Sequence, residues 1–210
     1  MSEYPEKRTR LLKEACRIFA EKGFRDATVA EICEAADANV AAVNYYFKNK
    51  ETLYDEVWRC AFALTVETHP LDGGLPENPT IEEYLFCYAR AVLRRIFSED
   101  ASGLFAKLLS REMASPTLAL GKIATDYIIP QSQHMEMIVS KMLGSDSDEK
   151  MLMLCRNSII AQCAFYNFSR PLREKMMGKT TMSAEELDYT ARHIARFSLG
   201  GLKEINPGKL

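Results

Sequence analysis

Glycine and proline are scarce, ten and eight in 210 residues, and follow no repeat, so the chain is neither collagen-like nor of low complexity. Histidine is scarcer still: His69, His134 and His193 stand in separate segments with no metal-ligand spacing. The six cysteines (Cys16, Cys33, Cys60, Cys87, Cys155, Cys163) include no CxxC pair, which argues against a zinc site or a disulfide framework. Each falls in an apolar helical pattern, where a thiol behaves as a small hydrophobe, so all six are expected to be reduced core residues. No apolar run reaches the ~20 residues of a membrane span. The longest, Met151 to Phe168, is interrupted by Arg156, Asn157, Gln162 and Asn167. Met1-Ser-Glu-Tyr-Pro-Glu-Lys-Arg8 has no apolar signal core, which predicts a cytoplasmic protein. Gly73-Gly74 and Gly200-Gly201 lack the pattern of a phosphate loop, and no Gly-x-Ser-x-Gly elbow occurs. No catalytic residue, metal or cofactor is expected.

What is present is a chain 47% apolar and 27% charged, long enough to bury a substantial core. Its apolar residues follow the helical period and no strand alternation is seen, so the predicted fold is all-α. Leu11, Leu12, Ala15, Cys16, Ile18 and Phe19 mark a helix from about 5 to 22 that Gly23 closes. Thr28-Val-Ala-Glu31, Thr80-Ile-Glu-Glu83 and Ser183-Ala-Glu-Glu186 are capping boxes that open three more helices. The second helix of a pair begins after Asn39, an N-cap residue, and a longer one runs from Lys50 to about Thr68 with Leu53, Tyr54, Val57, Ala61 and Leu64 inward. Residues 69–79 hold three prolines and two glycines and mark a boundary between domains 1–68 and 69–210. Further helices are expected over 80–98, 102–113, 116–125 (with Pro116 at its start), 127–143 and 147–168. The helix opened by Ser183 is expected to end at Gly200-Gly201.

The net charge of −2 speaks against a nucleic-acid partner, and residues 1–68 carry ten bases against twelve acids. Position is more telling than the sum. Lys7, Arg8, Arg10 and Lys13 form a run without an acid, and residues 38–50 hold Lys48 and Lys50 and again no acid. Such segregation suits a small phosphate-facing surface.

Two short helices with a tight break, preceded by a supporting helix, describe a helix-turn-helix. In the second of them Val40, Val43 and Phe47 share a face that should meet the core, turning Ala41, Ala42, Asn44 and Tyr45 outward or sideways. Two alanines make that face thin enough to approach a groove floor, where their methyls can meet thymine and Asn44 can pair with adenine N6 and N7. Tyr45 and Tyr46 offer hydroxyls to phosphate oxygens, and Lys48, Lys50 and Thr28 flank them. The candidate DNA-binding set is Thr28, Asn39, Val40, Ala41, Ala42, Asn44, Tyr45, Tyr46, Lys48 and Lys50.

Thr28-Val-Ala-Glu-Ile-Cys-Glu-Ala-Ala36 followed by Asn39-Val-Ala-Ala-Val-Asn-Tyr-Tyr-Phe-Lys-Asn-Lys-Glu-Thr-Leu53 resembles the DNA-binding domain of the TetR family of transcriptional regulators. The similarity runs from about Arg8 to Trp58, with Phe19, Gly23, Thr28, Ile32, Ala36, Tyr46, Phe47, Lys50 and Leu53 where the family pattern has them. The turn departs from it: Ala36-Asp37-Ala38 stands where the family usually has Ala-Gly-Val, so Asp37 must take the conformation glycine supplies. Asn39 to Phe47, and Leu109-Ser-Arg-Glu-Met-Ala-Ser-Pro-Thr117, resemble the CecR-like branch more narrowly. The resemblance implies an N-terminal three-helix DNA-binding domain and a C-terminal helical bundle for ligand binding and dimerisation. It further implies a homodimer on a palindromic operator, usually a repressor that a small molecule releases.

Dimerisation also follows from the few base pairs that one recognition helix covers. The last two long helices offer the apolar surface, through Met151, Leu152, Leu154, Cys155, Ile159, Ala161, Cys163 and Phe165 on one and Leu187, Ile194, Phe197 and Leu199 on the other. Effector-binding candidates are Tyr84, Tyr88, Arg111, Met113, Tyr127 and Met137, a mostly apolar set with one cationic anchor; plain core packing explains such residues too. Arg111 stands among Leu108, Leu109 and Met113, with Glu112 or Glu136 as an alternative partner. Two other classes fit the bare sequence: a helical dimeric protein-interaction module without DNA binding, and a small all-α enzyme with a Cys/His pair assembled in the fold.

Overall fold

The apolar stripes read from the sequence become helices almost everywhere. A computed structural model describes residues 3–144, 147–178 and 180–206, and among these there are eleven α-helices and no strand. They are α1 (Glu3–Asp26), α2 (Val29–Ala35), α3 (Val40–Phe47), α4 (Lys50–Thr68), α5 (Ile81–Phe97), α6 (Leu104–Ala114), α7 (Leu120–Ile123), α8 (Ile129–Leu143), α9 (Glu149–Phe168), α10 (Arg170–Met177) and α11 (Ala184–Ile205). A 3-10 turn (Ala101–Gly103) precedes α6 and a π turn (Ala124–Ile128) precedes α8. The chain divides into two units, Met1–Thr68 with Glu99–Ile123, and His69–Ser98 with Ala124–Leu210. Residues 99–123, which follow the 68/69 division in sequence, pack in the first unit against α1 and α4.

In the first unit, Leu11, Ala15, Ile18 and Phe19 of α1, Ile32 of α2, Val43 and Phe47 of α3, and Leu53, Tyr54, Val57 and Trp58 of α4 are buried. Phe19 and Phe24 bracket the Tyr54 ring at 4.9 and 5.0 Å, and Trp58 lies edge-on to Phe105 at 5.5 Å. Burying each large apolar side chain contributes about 1.5–3 kcal/mol, which holds helices as short as α2 and α3 that would not persist alone. Gly23 (φ 81°, ψ 175°) breaks α1, and one further turn carries the chain to Asp26. In the second unit α5 is the central helix, packed on α11, α9 and α8 through Leu85, Ala89, Leu93 and Ile96. Cys163 is fully buried there, and desolvation pushes its thiol up to about 12.

Six expectations are corrected. Val40 is half exposed rather than in the core, and Leu64 is also exposed. Cys60 is exposed, so five cysteines are buried and not six. Pro116 starts no helix: the backbone N–H and hydroxyl of Thr117 donate to Glu112 at 2.7 and 2.8 Å, holding residues 115–119 as a turn, and only α7 follows. Gly200 and Gly201 lie inside α11, whose buried Ser198 and Leu202 carry the helix past them on its open face. The Thr80 and Ser183 boxes form in full, but at Thr28 only half forms: the Thr28 hydroxyl accepts from Glu31 N at 3.2 Å, while the Glu31 carboxylate meets Lys22 Nζ at 2.5 Å. The short α10, opened by Arg170-Pro171 and closed by Gly178 in the left-handed conformation, was not anticipated.

Candidate nucleic-acid interface

The turn between α2 and α3 forms as the departure from glycine requires. Asp37 takes φ 49°. Its N–H donates to Glu34 O at 3.2 Å and that of Ala38 to Cys33 O at 2.8 Å, the double closure of a left-handed helix cap. Asn39 then caps α3, its side chain accepting from Ala42 N at 3.0 Å. At the other end Lys48 has φ 67° and ψ −52°, and Asn49 N donates to Phe47 O at 2.8 Å. This is the γ-turn of positive φ, a strained conformation. Asn49 in turn caps α4 through Thr52 N at 2.8 Å.

Val43 and Phe47 are the buried residues of α3, and its other side chains are exposed or half-buried. Thr28, Asn39, Val40, Ala41, Asn44, Tyr45 and Lys48 are exposed; Ala42, Tyr46 and Lys50 are half-buried. The Tyr45 ring, 73% exposed, meets Tyr46 edge-on at 5.0 Å. Nine of the ten sequence candidates thus run from Asn39 through α3 to Lys50 at the start of α4, and Thr28 stands apart as the N-cap of α2. Two basic residues differ in role from the others. Arg8 donates to Glu56 at 2.8 Å and lies over the Phe47 ring at 5.1 Å, tying α1 to α3 and α4. Lys50 Nζ lies 4.5 Å from the Phe24 ring centre, and desolvation lowers its pKa.

The family model described as "Bacterial regulatory proteins, tetR family" matches residues 11–57, and the model described as "HTH-type transcriptional dual regulator CecR, C-terminal domain" matches residues 81–202. The chain belongs to the TetR family, in its CecR branch. The HTH-type transcriptional dual regulator CecR of Shigella flexneri is 25% identical over 187 residues, covering 85% of this chain and 83% of that protein. The probable HTH-type transcriptional regulator YttP of Bacillus subtilis (strain 168) is 24% identical over 63% of this chain and 62% of its own length. In fold, the chain is similar to the transcriptional regulator FadR from Bacillus subtilis in complex with stearoyl-CoA, with a TM-score of 0.70 at 15% identity over 92% of this chain and 98% of that one. The matched proteins are transcriptional regulators, and the enzyme reading falls with them.

Of the six effector candidates of this TetR-family regulator, four lie in the second unit and two in the first. Tyr88 is buried in the second unit, where desolvation raises its phenol pKa. Tyr84 is half-buried under Lys141, whose Nζ donates to its hydroxyl at 3.0 Å. Tyr127 is half-buried, its carbonyl accepting from Gln131 at 2.9 Å, and Met137 is exposed. Arg111 and Met113 are exposed and belong to the first unit. Glu136 pairs with Arg156 at 2.5 Å. Glu112, read from the sequence only as a partner for Arg111, is buried and accepts from Tyr54 OH at 2.9 Å as well as from Thr117. Its signal was available: Phe105, Leu108 and Glu112 share one helical stripe, an acid in a core position. No helix among the described residues is long and apolar enough to cross a membrane.

The expected dimer surface divides in two. Cys155, Ile159 and Cys163 of α9 and Leu187 and Ile194 of α11 are buried within the unit. Met151, Leu154 and Phe165 of α9 and Phe197 of α11 are exposed, joined by Met153, Phe168, Tyr189 and Ile205. Leu152 and Leu199 are half-buried and Ala161 is exposed.

Proposed function

We propose that the chain is a homodimeric DNA-binding regulator that represses from a palindromic operator and is released by a small molecule bound in the second unit. The observation that supports it best is α3: two core anchors, a small-residue outer face with Asn44 and Tyr45 in solvent, and no acid from residue 38 to 50. In this reading Asn44 pairs with a base edge, and Ala41 and Ala42 admit the helix to the major groove. Thr28, Asn39, Val40, Tyr45, Tyr46, Lys48 and Lys50 surround them, the polar ones on phosphates. The exposed apolar residues of α9 and α11 supply the twofold contact that sets two copies of α3 about 34–36 Å apart. The site of action is the cytoplasm, where operator DNA lies.

The test is fluorescence anisotropy with purified protein and the DNA upstream of its own gene. Tight binding is expected, with log K falling by about 0.9 per phosphate neutralised for each decade of salt. Equal affinity for that DNA and for a scrambled duplex would refute operator recognition. Sedimentation that finds only monomers at micromolar concentration would refute the dimer.

A further inference from the structure

A guanidinium taken out of water needs acceptors, because desolvation of an unpaired cation is costly. The second unit supplies them to one buried arginine and not to another. Arg95 on α5 donates through Nε and Nη2 to His69 O at 2.9 and 2.6 Å, and through Nη1 to Gln131 Oε1 at 2.6 Å. Arg173 on α10 is more than nine-tenths buried, yet neither Nη1 nor Nη2 has a hydrogen-bond partner. Ser169 stands one helical turn before it, on the same face, and its buried Oγ also has none. The Arg173 guanidinium carbon lies 4.7 Å from the Phe97 ring centre and 5.6 Å from that of Tyr166. Aromatic faces attract the charge but supply no oxygen acceptor. The Ile96 carbonyl at the end of α5 is taken by Arg170.

We propose that Arg173 and Ser169 form an oxyanion site for a carboxylate or phosphate group, free or as the head of an apolar molecule. Two guanidinium N–H edges match the paired oxygens of either group, and the serine hydroxyl adds a third donor. No acid pairs with Arg173 among the described residues to compete. Phe97 and Tyr166 wall the guanidinium and suit an apolar stem. The proposal rests on the effector role given above only for its use in regulation, since binding itself is measured without DNA.

The experiment is calorimetric titration of the full chain with inorganic phosphate, sodium octanoate, octyl phosphate and 1-octanol. At least one of the three acids is expected to bind saturably and at least about tenfold tighter than octanol. Binding by inorganic phosphate identifies a free oxyanion as sufficient; binding by octyl phosphate or octanoate alone identifies an amphiphile and its head group. Arg173→Met should abolish the preference for acids while melting at or above the wild-type temperature, since it removes an unpaired buried cation. Should that variant not fold, Ser169→Ala, with a weakened acid preference expected, takes its place. An acid preference that survives Arg173→Met, or wild-type protein that binds no acid better than octanol, overturns the proposal. Acid binding without any release of operator DNA would count against the effector reading and leave this site standing.

Discussion

Tyr54→Phe tests whether the buried carboxylate of Glu112 holds α4 and α6 together. Glu112 is 1% exposed and accepts three hydrogen bonds, from Tyr54 OH at 2.9 Å and from Thr117 N and Oγ1 at 2.7 and 2.8 Å. Burial raises the Tyr54 phenol pKa, so the hydroxyl keeps its proton at any working pH. A hydrogen bond to a charged group contributes about 1.5–3 kcal/mol, and Tyr54→Phe leaves Oε2 without its donor, so a loss of about 2 kcal/mol is expected. Glu112→Ala orphans all three donors and leaves a cavity, for about 3–4 kcal/mol. Glu112→Gln keeps one acceptor and the volume, for about 1 kcal/mol. The assay is urea unfolding at fixed protein concentration, followed by the fluorescence of Trp58, the only tryptophan, whose ring lies 6.0 Å from that of Tyr54. A Tyr54→Phe loss under about 0.5 kcal/mol, or a Glu112→Ala loss smaller than that of Tyr54→Phe, would refute the reasoning.

Asn44→Ala should weaken operator binding by roughly 1–3 kcal/mol and relax base preference at one position, read by anisotropy on a set of single-base operator variants. Lys48→Ala should weaken all sequences about equally and lower the salt slope by about one; Lys50→Ala should do the same and in addition destabilise the fold slightly through the lost contact with Phe24. Asp37→Gly should raise stability by about 0.5–1 kcal/mol in urea unfolding, because φ 49° is the conformation glycine adopts without strain. Burial raises the pKa of Glu56, but Arg59 and Arg8 outweigh it and the carboxyl lies below its ordinary 4.5. Its contribution is therefore present above pH 4.5 and lost as pH falls through the lowered value, so Glu56→Gln should flatten that part of a pH–stability curve.

Local rules written into a few residues were legible. Thr80 and Ser183 cap as their spacing says, and Asp37 bends as its replacement of glycine demands. What the sequence did not reveal depends on partners distant along the chain. Val40 satisfies the core spacing of Val43 and Phe47, but it is the first residue of α3, and a period read over two turns does not separate a tip from a middle. Pro116 looks like a helix start until Glu112, held by a tyrosine 58 residues away, claims the next backbone N–H. Gly200 and Gly201 look like a stop, yet two glycines on an open helix face cost only about 1 kcal/mol each against alanine, less than burial of their neighbours contributes. The effector candidates are hard to read from sequence for a related reason. Aromatic and methionine residues at helical spacing say that a helix is packed, not what it is packed against.

Helix α3 shows how little structure its proposed role requires. Eight residues are too few to be helical alone, so α3 borrows its order from Val43 and Phe47 beneath, Asn39 at its start and the γ-turn at Lys48. With stability supplied from one face and both ends, the outer face is released from structural duty. Alanine there costs nothing in packing, and Asn44 and Tyr45 can be chosen for what they meet outside the protein. The strain at Lys48 belongs to the same arrangement: the positive φ reverses the chain within one residue, and Asn49 caps the next helix immediately. Lys48→Gly should then relieve the turn and stabilise the fold while removing the phosphate contact proposed for this residue, whereas Lys48→Ala removes that proposed contact and keeps the strain. Comparing the two in unfolding and in DNA binding separates the backbone's role from the ammonium's: equal stability of the pair would mean that the turn stores no strain, and equal DNA affinity would mean that the charge alone matters there.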